Sequence, residues 1–60
     1  MPYYEVWIDL SQKDELERKL KEVCREVHEA FCDYHYIVEV QDEDELSLEG
    51  IIRVRRHYNC

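Results

Sequence analysis

The chain has 60 residues, with 15 Asp and Glu against 8 Lys and Arg, for a formal net charge of −7. A length of this order supports one domain, residues 1–60, with one core that buries only about 60% of the surface its unfolded form exposes. A catalytic cleft between domains is therefore excluded. No apolar run approaches the roughly 18 residues of a membrane span, and the N-terminus does not read as a secretory leader, so a cytoplasmic, soluble protein is expected. The negative charge argues against direct binding to nucleic acid or anionic membranes and leaves basic partners open.

Tyr3 to Leu10 alternates, with Tyr4, Val6, Ile8 and Leu10 on one face and Tyr3, Glu5, Trp7 and Asp9 on the other. Period two with β-branched and aromatic residues predicts a strand. Ser11 offers an N-cap oxygen, and Asp14 follows as a shortened capping-box acid. An amphipathic helix is expected from there to about Phe31, because Leu16, Leu20, Val23, Val27, Ala30 and Phe31 recur at helical spacing. Asp14–Arg18, Glu15–Lys19 and Glu17–Lys21 add ion pairs in the favourable order.

Period two returns after Asp33, with Tyr34, Tyr36, Val38 and Val40 inward and His35, Ile37, Glu39 and Gln41 outward. Asp42 to Glu45 turns the chain. Leu46, Leu48, Ile52 and Val54 then make the inward row of a third strand reaching about His57. Gly50, the only glycine, lies in the middle of that strand, where glycine often marks a bulge or close backbone approach and leaves a shift of face open. The expected fold class is α+β, in the order β-α-β-β. Its three-stranded mixed sheet has strands one and two parallel, the third strand central, and one helix packed on one face. This layout resembles the strand-helix-strand-strand half of a split ferredoxin-like fold, and computationally designed α/β miniproteins built on that unit. A capped helix, ordered ion pairs and sparse Gly and Pro fit an idealised, de novo chain, whereas three cysteines and three histidines do not.

One helix covers one sheet face, so the second face meets water or a partner. Tyr3, Trp7, Ile37 and Ile51 are expected to cluster there beside Arg53 and Arg55, residue types enriched at binding hot spots. A non-enzymatic interaction module follows, one that self-associates as a homodimer or binds another protein through this face or an edge strand. The plainer reading has Trp7 and Tyr3 covering neighbouring β-structure and stacking with Arg53 or Arg55 by cation–π contact.

Charge is segregated along the chain. Residues 33–50 carry seven acids and no base, and residues 51–60 carry Arg53, Arg55 and Arg56 and no acid. The run Asp42, Glu43, Asp44, Glu45, with Glu49, reads as a solvated turn, or alternatively as the acidic surface of a phage-type inhibitor that imitates nucleic acid.

Cys24, His28 and Cys32 fall at i, i+4 and i+8 of the expected helix, and His57 and Cys60 follow near the C-terminus. They offer a weak zinc or thiol site, and no Cys-x-x-Cys pair reinforces it. A Cys32–Cys60 disulfide and a free Cys60 that links two chains are both open. Cys24 and His28 alone supply no oxyanion hole or substrate cleft, so no enzyme, small-molecule substrate or cofactor is expected. Asp42, Asp44 and Glu49 do not make an EF-hand, because Ser47 and Arg53 occupy the positions that need glycine and glutamate.

Overall fold

The structure is a computed structural model that describes residues 2–58. Strand β1 (Tyr3–Ile8) leads through a 3-10 helix, Leu10–Gln12, into helix α1 (Lys13–Val23). Strands β2 (Glu26–Glu29) and β3 (Tyr36–Glu39) follow, then a 3-10 helix, Glu43–Leu46, and strand β4 (Ile51–His57). The four strands form one sheet in the order β2-β3-β1-β4, and every neighbouring pair is antiparallel. The chain is α+β.

This sheet corrects the sequence expectation in three respects. It has four strands, β1 and the strand after Asp33 are antiparallel, and the centre is occupied by β3 and β1 while β4 lies at an edge. The cause is the segment after Val23, which was expected to extend the helix. Cys24 caps α1 in an extended conformation, its N–H donating to Leu20 O at 2.8 Å, and the Arg25 N–H then donates to Glu39 O at 2.7 Å. Val27 packs on the core from β2. A single inward valine satisfies a helical stripe or a short strand equally, so non-local pairing with β3 decides between them. β3 thereby sits between β1 and β2, which run in the same direction and are joined through α1. This is a split β-α-β arrangement. Phe31, expected on the helix's apolar stripe, is 91% exposed in the β2–β3 connection.

The start of the helix also differs. Ser11 does not cap α1, and Gln12, the N-cap of α1, makes no side-chain cap bond. Asp9 caps the preceding 3-10 helix, accepting from the Ser11 N–H at 3.0 Å and the Ser11 hydroxyl at 2.8 Å. These bonds hold the Asp9 carboxyl below the usual range. Along α1, Glu15–Lys19 and Glu17–Lys21 pair at 3.4 and 3.2 Å.

The core lies between α1 and one sheet face. Tyr4, Val6 and Ile8 meet Tyr36, Val38 and Val40 beneath Leu16 and Leu20, with Cys24 and Leu46 closing the ends. Leu46 is buried as expected, but from the 3-10 helix rather than a strand. That helix lies in a crossover, since β3 and β4 flank β1 on opposite sides and make no hairpin. Asp42 and Glu45 form its capping box.

Gly50 has φ of 96° and sits where an added Cβ would lie 2.7 Å from Leu16 Cδ1. Both positive φ and close approach to α1 require glycine there. The register slips at the adjoining end of β4: Trp7 is opposite Arg53, but Ile8 is opposite Ile51. Ile52 is the extra residue of a bulge and is 71% exposed. A one-residue slip exchanges faces. Ile51, expected on the open face, therefore packs on the core, while Ile52, expected inward, does not.

Candidate functional site

The sheet face away from α1 carries the residues opposite in register to the core row. Tyr3, Glu5 and Trp7 of β1 stand beside His57, Arg55 and Arg53 of β4, and Ile37 of β3 stands opposite Glu5 on the other side. The structure thus brings five of the six expected interface residues onto this face and removes Ile51.

Trp7 is the centre. The Arg53 guanidinium lies 4.9 Å and the Arg55 guanidinium 5.3 Å from its ring centroid. Tyr34 meets the indole edge-on at 6.1 Å. Cation–π contact and edge-to-face packing restrain all three partners without closing the face. Arg53 has no carboxylate within ion-pair distance among the described residues.

Glu5 is the one buried charged residue among those described. Arg55 Nε donates to Oε1 at 2.6 Å, and His57 Nδ1 lies 2.8 Å from Oε2. Burial is the largest single influence and pushes this carboxyl upward, but the His57 and Arg55 hydrogen bonds and charges together outweigh it and hold it below the usual range. The group is a buried anion with its partners supplied by β4. At the far end of β1, the Tyr3 hydroxyl donates to Glu26 Oε2 at 3.1 Å.

His35 positions the Trp7 segment. Its backbone N–H donates to Val6 O at 3.0 Å, and its Nδ1 accepts the Ile8 N–H at 2.9 Å, so the imidazole carries the β1–β3 pairing past its final pair, Val6–Tyr36, to the end of β1. Sequence reasoning missed this role, gave Glu5 no special part, and placed Tyr34 on the inward face. Tyr34 lies in the connection before β3, where strand alternation does not apply.

The cysteines and histidines are dispersed by the shortened helix. Cys24 is buried at the end of α1, His28 lies on β2, Cys32 is exposed in the β2–β3 connection, and His57 is bonded to Glu5. The expected i, i+4, i+8 row does not form. Cys60 lies outside the described residues, so the expected Cys32–Cys60 bridge does too. Among the described residues no group of three His, Cys, Asp or Glu side chains is placed to hold a metal ion. Burial, with the Glu45 charge, pushes the Cys24 thiol up to about 11.

Asp42, Asp44 and Glu45 border a shallow, exposed concavity with Gln41, and Glu43 and Glu49 are also exposed. Two of these carboxylates have local partners. Asp42 Oδ1 accepts the Asp44 N–H at 3.0 Å, and Glu45 Oε2 accepts the Asp42 N–H at 3.3 Å. No helix among the described residues is long and apolar enough to cross a membrane.

The fold and site define a small α+β domain with one open, Trp- and Arg-bearing sheet face. No protein-family model, curated protein or solved structure matches the chain.

Proposed function

We propose that this chain is a non-enzymatic protein-interaction module that makes contact through the open sheet face and the adjoining edge of β4. The observation that carries this reading is Trp7, with the Arg53 and Arg55 guanidinium groups both against its ring, on a face that α1 does not cover. Trp and Arg are enriched at hot spots because they supply large contact area together with directed polar contacts. Preordered side chains lose less conformational entropy on binding.

The acidic-mimic reading has weaker support, because Asp42 and Glu45 already accept backbone N–H groups within one short helix. Selection of binders from a random peptide library against the chain and against Trp7→Ala tests the proposal. Binders that require Trp7 and shift the amide resonances of β1 and β4 support it. Binders that ignore Trp7 and perturb the Asp42–Glu45 segment would overturn it.

A further inference from the structure

The edge of β4 selects what can dock. Among the described residues β4 pairs only with β1, so alternate residues along it direct N–H and C=O groups away from the sheet. That edge carries Arg53, Arg55 and Arg56 and no acid. Arg53 and Arg55 project on the open face opposite Trp7 and Glu5, while Arg56, opposite Tyr4, projects on the α1 side. Each guanidinium lies against an aromatic ring: Arg53 and Arg55 on Trp7, and Arg56 at 5.7 Å over Tyr58. A strand added here would thus meet fixed positive charge on both of its faces.

We infer that the β4 edge binds an acidic, extended segment of another protein by strand addition, with carboxylates flanking Arg53 and Arg56 and an apolar residue against exposed Ile52. This inference rests on the interaction-module reading and names its partner class. Main-chain bonds to the open edge supply affinity, and the alternating arginines supply selectivity. A second copy is a poor occupant by the same edge. Antiparallel β4–β4 pairing centred on Val54 sets arginine against arginine, and like charges directly opposite are destabilising. The chain's net charge of −7 does not forbid an acidic ligand, because local charge governs a contact when the Debye length is about 8 Å at physiological salt, and β4 carries three arginines and no acid.

The test uses the whole chain with three synthetic peptides: an extended Val-Glu-Val-Val-Glu repeat, whose Glu residues three apart fall on opposite faces as Arg53 and Arg56 do, the same with Lys for Glu, and the Glu peptide N-methylated at alternate residues. The expected result is binding of the first alone, with β4 amide shifts, weakening as salt rises, and a loss of about tenfold on Arg53→Glu. Arg53 is exposed and outside the Glu5 ion pair, so this variant should keep its circular dichroism spectrum and lose from its unfolding midpoint only the cation–π contact with Trp7; Arg56→Glu, which leaves Trp7 untouched, should weaken the same peptide. Equal binding of the N-methylated peptide would overturn strand addition, and binding of the Lys peptide would overturn the acidic assignment. A concentration-dependent rise in mass by light scattering, with loss of peptide binding, would assign the edge to β2 of a second copy and overturn the inference. Trp7-dependent library binders that prove neutral or basic would overturn the inference alone, whereas absence of Trp7-dependent binders would remove the wider reading.

Discussion

Glu5 and Arg55 face one another across the β1–β4 ladder, with Arg55 Nε 2.6 Å from the Glu5 carboxylate on a sheet face that no helix covers. The charge is buried by its own partners rather than by a second layer. An edge strand is thereby fastened to the sheet by an ion pair as well as by its backbone.

Glu5→Gln should lower stability by about 1.5–3 kcal/mol, the range for hydrogen bonds to charged groups. The carboxyl's folded value lies below its ordinary 4.5, so its contribution is present above that pH and is lost as the pH falls through the folded value. Urea unfolding followed downward from neutral pH should show a steep acid limb in the parent chain. A flatter one is expected in Glu5→Gln, and identical limbs would remove Glu5 from the account.

Gly50→Ala should cost about 1–3 kcal/mol, since it combines an unfavourable positive φ with overpacking against Leu16. The tightest contact is Leu16 Cδ1 at 2.7 Å, with Gln12 Oε1 next at 3.0 Å, so adding Leu16→Ala should give a double variant that loses less than the sum of the single changes. Strict additivity in chemical denaturation would show that Gly50 answers only to backbone conformation.

Tyr36→Phe removes the hydroxyl that donates to Glu17 Oε2 at 3.0 Å and ties β3 to α1, at a cost of about 0.5–1.5 kcal/mol. Burial, then the Glu17 hydrogen bond and charge, raises this phenol above its ordinary 10.0. The stabilisation is therefore complete below that pH and lost as the pH rises through the folded value. Alkaline unfolding curves of the two chains should converge, and a constant gap would count against the assignment.

Cys24 should resist thiol reagents, because the thiolate is the reactive form and burial holds this thiol at about 11. In a Cys60→Ser background, Cys32 should react promptly near neutral pH and Cys24 only on unfolding. Equal rates would show that the end of α1 opens readily.

The sequence alone determined the α+β class, the inward Tyr4, Val6 and Ile8, the inward Tyr36, Val38 and Val40, and the outward placement of Tyr3, Trp7 and Ile37, because each strand placement rests on a local period of two; Leu10, expected in the same inward row, is instead exposed in the 3-10 helix that follows β1. It also located the arginine cluster and marked Gly50 as a special position. Tertiary structure decided whether Val27 belonged to a helix or to β2, because one apolar residue fits both periods and only pairing with β3 separates them. It decided that Ile51 is inward and Ile52 exposed, because a bulge beside Gly50 inverts alternation without any local mark at those two positions. It decided finally that Glu5 is a buried anion, since its partners Arg55 and His57 lie 50 and 52 residues away along the chain. Contacts of that range are set by strand order, which local periodicity does not encode.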